Sequence, residues 1–366
     1  MKTRRFRNFL IGLVGTVVIA VGLTLFTTAT ATTPSYYAVT NLGTLGGSNS
    51  YAFGINDTGQ VVGEAETSSG NSHAFLWKDG AMTDLDPLSS GDSFAIDINN
   101  RGQVLSNFGS HGSTTPSGSG FLWSNGTITN FSIHDYGSDD SIWPLGINDV
   151  GQVAGGFIVI GTSYVHACLW KDGNRTDLHT EFNFDAGSSA YEINNLGQVV
   201  GSVDFTPEVP SGDAVPSNDS HAFFWKDGTM TDLGTLGGSN SDASDINNKG
   251  QVVGEAKTSS ETSHAFLWKD STMIDLGTLD GYSNSFAFGI NNKGQVVGKA
   301  ETSSGTAHAF FWKDGTMTDL NSLIPANSGW ELTEAQSINK NGQIVGTGKF
   351  NGQTNAFLLT PVWLIN

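Results

Sequence analysis

Basic residues, cysteine and long apolar runs are all scarce in this 366-residue chain, and each scarcity excludes something. There are 17 Lys and Arg against 35 Asp and Glu. Phosphate backbones and anionic lipid surfaces are held by clustered basic side chains, so the acidic balance disfavours anionic membrane and no nucleic-acid partner is expected. A single cysteine, Cys168, excludes an internal disulfide, and stability must come from packing. Cys168 occupies a position where other segments of the chain have Phe75, Phe223, Phe266 and Phe310, which reads as a buried small hydrophobe. No Gly-x-Ser-x-Gly, His-Glu-x-x-His, phosphate-cradling glycine loop or zinc-ligand spacing occurs.

The one long apolar run is N-terminal. Lys2, Arg4, Arg5 and Arg7 precede an uncharged stretch from Phe9 to Phe26, and Ala29-Thr30-Ala31 supplies the small residues of a cleavage site. Residues 1–31 are therefore expected to be an export signal, with an uncleaved anchor as the alternative. The remaining residues, 32–366, hold 13 bases and 35 acids, a formal charge of −22. The expected location is outside the cytoplasm: secreted, periplasmic or on the cell surface, with no span left after cleavage.

What the chain has in abundance is repetition. The phrase Ile-Asn-x-x-Gly-Gln followed by apolar residues, with conservative variants, begins at Ile55, Ile98, Ile147, Ile193, Ile246, Ile290 and Ile338, at spacings of 43, 49, 46, 53, 44 and 48 residues. Periods in this range belong to repeated supersecondary units, propeller blades among them. One unit reads as four strands: a (Ser50 to Ile55), b (Gly59 to Ala65), c (His73 to Trp77) and d (Met82 to Leu85). Asp79-Gly80 and its equivalents are hairpin signals between c and d. Within Ile-Asn-x-x-Gly-Gln, the Asn is expected to fold back on its own backbone while Gly supplies a positive φ. Strand c is apolar on both faces, as expected of a blade covered by two neighbours. Trp77, Trp123, Trp170, Trp225, Trp268 and Trp312 recur as packing residues, with Leu359 in the last unit. His73, His166, His221, His264 and His308 recur likewise, and a residue needed in every unit reads as structural.

The last unit stops without a strand d, and the segment after the signal supplies one. Thr40-Asn41-Leu42-Gly43-Thr44-Leu45-Gly46-Gly47 matches Thr231-Asp232-Leu233-Gly234-Thr235-Leu236-Gly237-Gly238, an internal strand d and its exit. The expected fold is all-β: a seven-bladed β-propeller of four-stranded antiparallel blades, closed by the N-terminal strand completing the last blade.

These motifs resemble those of the HAF family of extracellular repeat proteins, named for the His-Ala-Phe triplet seen at His73, His221, His264 and His308. The likeness runs over essentially all of 32–366. Units 2, 3 and 7 depart from the triplet, with Gly120-Phe121, Ala167-Cys168 and Ala356-Phe357. The resemblance implies export and a repeat architecture, and it implies no reaction.

Function is expected where the repeats diverge. Loops b–c and links d–a share one face of the disc and vary in length, which is where a rigid scaffold carries recognition. Candidate binding residues are His134, Asp135, Tyr136, Asp139 and Asp140 after unit 2, and His179, Glu181, Phe182, Phe184 and Asp185 after unit 3. Unit 4 adds Asp204, Glu208, Asp213 and Asp219 in its b–c loop. Aromatics mixed with carboxylates suit a carbohydrate or another cell-surface protein. If strand a is innermost, the residue before Ile-Asn faces the axis. That position reads Gly54, Asp97, Gly146, Glu192, Asp245, Gly289 and Ser337. Asp97, Glu192 and Asp245 would then be the carboxylates of an alternative function, a hydrolase or lyase acting on extracellular polysaccharide. The leading expectation is a monomeric, non-catalytic binding or surface-structural module without a cofactor, calcium being the one ion the carboxylates suggest.

Overall fold

A computed structural model describes residues 36–87, 90–109, 120–131, 142–159, 162, 164–179, 187–204 and 219–362. Seven four-stranded antiparallel sheets form the blades of a propeller. In blade 1 the strands are a (Gly46–Ile55), b (Val61–Thr67), c (Ser72–Lys78) and d (Ala81–Asp84), hydrogen-bonded in that order. The a strands of the other blades are Ser93–Ile98, Ile142–Ile147, Ser188–Ile193, Gly237–Ile246, Asn284–Ile290 and Trp330–Ile338. All seven line a central cavity, so strand a is innermost.

The ring closes as the sequence predicts. Tyr36–Asn41 is the outermost strand of blade 7 and runs antiparallel to Gln353–Val362, with Tyr36 opposite Val362 and Asn41 opposite Phe357. Leu42 N then donates to Ala356 O at 3.1 Å. Tyr37, 1% exposed, packs into the core between blades 6 and 7.

The core is a set of cores, one per interface. Phe75 of strand c packs with Val345 and Leu358 of blade 7. Ala74 and Leu76, on its other face, pack with Ala95, Ile98 and Phe121 of blade 2. Strand c therefore presents Phe to the preceding blade, except in blade 3, and Leu or Phe, in most blades with Ala, to the following one, which is why both its faces are apolar. Cys168 takes the Phe position in blade 3 and is buried at 1% exposure, its thiol pushed up to about 12 by desolvation. Between blades 2 and 3 the described buried residues fall into two small clusters, Leu105, Ile147 and Val153 in one and Phe157 and Cys168 in the other.

The turns carry the backbone geometry their residues favour. Asp79 and Gly80 have φ of 51° and 86°, the two positive values that a two-residue hairpin requires. Gly59 closes the a–b turn at φ 82°.

Candidate functional site

Two layers of the inner ring come straight from the Ile-Asn-x-x-Gly-Gln phrase. In blade 1, Asn56 Oδ1 accepts from Thr58 N and Gln60 N, and Asn56 Nδ2 donates to Gln60 Oε1. The same amide also donates to the backbone carbonyl of Asn99 in blade 2. The step repeats from Asn99 to Asn148, Asn194, Asn247, Asn291 and Asn339, and Asn339 donates to Asn56 O at 3.1 Å. The motif asparagines thus form a closed circle of hydrogen bonds joining every blade to the next. A second circle lies outside it, where Asp57 N donates to Asn100 Oδ1, Asn100 N to Asp149 Oδ1, and so on round to Lys340 N and Asp57 Oδ1. Lys340 has no side-chain acceptor to offer, so the step from Asn292 lacks this bond.

The three axial carboxylates lie in the next layer. Asp97 accepts from Ile98 N at 2.7 Å and from Ile147 N of blade 3 at 2.8 Å. Asp245 accepts from Ile246 N at 2.6 Å and from Ile290 N of blade 6 at 2.7 Å. Both oxygens of each aspartate hold backbone N–H groups, one within the blade and one across the interface. Glu192 accepts from Ile193 N at 2.9 Å and leans toward Gly146, where a Cβ would stand 2.8 Å from its Oε1. Desolvation raises all three acids, Asp97 to about 6 and Asp245 to about 7, while Asp97 and Asp245 repel the charge on Glu192 and hold it well above the usual range.

Above the carboxylates is a collar that the sequence does not advertise. Each a strand has a register shift two or three residues before its Ile, between Ala52 and Gly54 in blade 1. The extra residue turns toward the axis: Phe53, Ile96, Leu145, Tyr191, Ser244, Phe288 and Gln336 all line the cavity. Phe94, Phe108 and Trp143 line it nearer the face bearing the b–c loops. The whole cavity measures about 1110 Å³, and Lys340 is the one basic side chain among its described lining residues. A ligand entering from the b–c face meets aromatic rings, then carboxylates, then the amide circle.

The recurring histidines are braces. His73 Nδ1 lies 2.9 Å from Asp84 of strand d, and the pairing repeats at His166–Asp177, His221–Asp232, His264–Asp275 and His308–Asp319. In blade 7, where strand d comes from the N-terminus, Asn41 Nδ2 donates to Asn355 Oδ1 at 2.9 Å instead.

Of the loop candidates, His134, Asp135, Tyr136, Asp139, Asp140, Glu181, Phe182, Phe184, Asp185, Glu208 and Asp213 lie outside the described residues. His179 is 1% exposed, stacks on His166 with centroids 4.4 Å apart, and shares a 2.9 Å hydrogen bond with Ser188 Oγ. Asp204 accepts from Gly187 N at 3.0 Å, and Asp219 is half-buried beside His221. Among the described residues no group of three or more His, Cys, Asp or Glu is arranged to hold a metal ion. No helix among them is long and apolar enough to cross a membrane.

Residues 269–358, from the end of strand c of blade 5 to the last strand of blade 7, match a family model described as a protein of unknown function (DUF3466). No curated protein matches the chain. Among solved structures, it is similar to YCF48 bound to D1 peptide, at 13% identity over 92% of this chain and 97% of that one, with a TM-score of 0.52. A structure from a study of two prolyl endopeptidases aligns at 9% identity over 82% of this chain and 46% of that one, with a TM-score of 0.56. TolB from Acinetobacter baumannii aligns at 11% identity and a TM-score of 0.43 over 84% of this chain, which spans 65% of the TolB chain. At these identities the shared property is the propeller fold.

Proposed function

We propose that this protein is an exported, non-catalytic binding propeller whose ligand is taken into the axial cavity from the face bearing the b–c loops. The observation that carries the reading is the engagement of the axial carboxylates. Both oxygens of Asp97 and of Asp245 are held by backbone N–H groups of adjacent blades. A carboxylate fixed this way is held in place by the interface, whereas acid/base work on a glycosidic bond requires a carboxyl that can reach along the bond being broken. The aromatic collar supplies contact area for a glycan or for a segment of another protein. A propeller neighbour of similar length, YCF48, has been solved with a bound peptide, which supports a polypeptide. The signal-like sequence of residues 1–31 and the resemblance to His-Ala-Phe repeat proteins support export.

The alternative, a polysaccharide hydrolase or lyase, is favoured by one observation: Asp97 and Asp245, raised to about 6 and 7, are in the range of general acids. One experiment separates the two. The full chain is screened on glycan and peptide arrays and, in parallel, for degradation of extracellular polysaccharides. Binding without turnover, weakened by Phe53→Ala, is expected. Turnover that disappears in Asp245→Asn would replace the binding reading with the enzymatic one.

A further inference from the structure

The lining of the axial cavity is unbalanced in charge. Asp97, Glu192 and Asp245 stand in one layer. Lys340, the one basic residue in the described lining, is already 3.3 Å from Asp57. Directly above this layer the collar presents the rings of Phe53, Tyr191 and Phe288. Aromatic faces over buried carboxylates attract a cation on a slender apolar stem, because the ring quadrupoles and the acids act on the same charge. The protein already uses this chemistry beside the cavity. Lys299 Nζ lies 5.2 Å from the centroid of Phe286, 5.9 Å from that of Phe288 and 3.9 Å from Glu334.

We propose that the axial cavity takes a primary ammonium group on an unbranched carbon stem, delivered as a lysine side chain of a partner polypeptide. This rests on the reading of the cavity as a binding site. A free amine would leave most of the 1110 Å³ unfilled. A polypeptide would also fill the mouth, which Phe94, Phe108 and Trp143 line.

The charged groups that the ammonium would face are the three axial acids, with Asp149 acting on Asp97, and the Asp57–Lys340 pair beyond them. Binding to the ionised acids must expel the protons they hold near neutrality. The test is calorimetric titration of the full chain with tri-lysine, its side-chain-acetylated counterpart, spermidine and glucosamine oligomers. At about pH 8, tri-lysine is expected to bind roughly tenfold or more tightly than the acetylated peptide. Near pH 6.5 it should release protons, seen as a buffer-dependent heat. Glu192→Gln keeps the acceptor for Ile193 N and should fold; together with Phe288→Leu it should weaken binding by about tenfold. Equal affinity for the acetylated peptide, or no proton release, would overturn the inference. Spermidine binding as tightly as tri-lysine would overturn the assignment to a polypeptide, and tighter glucosamine binding would replace it with an amino sugar. If no amine binds while array ligands remain sensitive to Phe53→Ala, the ammonium inference falls and the binding module stands. If neither binds, both fall.

Discussion

Asp97 and Asp245 perform two jobs with opposed demands. As carboxylates they satisfy Ile147 N and Ile290 N across interfaces, and as desolvated groups they resist ionisation. Their folded values, about 6 and about 7, lie above the unfolded value of 3.8. Between those limits the folded state binds more protons than the unfolded chain, so stability falls as pH rises through about 4 to 7. His221 is raised by its bond to Asp232, a contribution present below its unfolded value and lost as pH rises through the folded one; Asp232 is lowered, a contribution lost in acid. The protein should therefore be most stable in mildly acidic solution. Thermal melts from about pH 5 to pH 8 should fall by an amount on the order of a few kcal/mol, and Glu192→Gln should flatten the slope. A slope unchanged in that variant would show that the axial acids do not titrate as a group.

At the scale of the element, a blade is a sheet whose inner edge is pinned to its neighbours by side chains. Asn339 illustrates the load: its amide serves Gln343 Oε1 and Asn56 O, and its oxygen serves Asn341 N and Gln343 N. Asn339→Ala leaves those groups buried and unpaired at the seam where the chain's ends meet, and should cost about 2–3 kcal/mol in denaturant unfolding. Thr58→Ala, at an exposed position of a neighbouring turn, should cost well under half as much. A similar cost for the two would contradict the amide circle. The inward fold of the motif Asn was legible in the sequence, because an Asx turn is a local device. Its second bond was not, since the partner lies 43 to 53 residues away along most of the ring and across the whole chain at Asn339. The collar was hidden for a different reason. Strict alternation assigns successive residues to opposite faces, and the bulge at Phe53 inserts one residue that breaks the count. The histidines were readable because repetition marks structure, and Asp84 and its equivalents complete the pairs that repetition implied.

For the whole molecule, closure decides everything else: an open array would have no common axis, no cavity and two bare edges. The chain marks its own seam. Asn41 and Asn355 replace the His–Asp brace in the one blade assembled from both ends of the chain. Ser50 Oγ accepts from Ala356 N at 2.9 Å, the bond that Ser93, Ser188, Ser241 and Ser285 make at other interfaces. Native-state hydrogen exchange of the backbone amides in Tyr36–Asn41 tests closure most directly. In a sealed disc, the amides of that strand that bond to Gln353–Val362 exchange as slowly as those of the inner strands, and only through global unfolding. Fast exchange along Tyr36–Asn41 with the remaining blades protected would mean that the N-terminal strand does not close the ring.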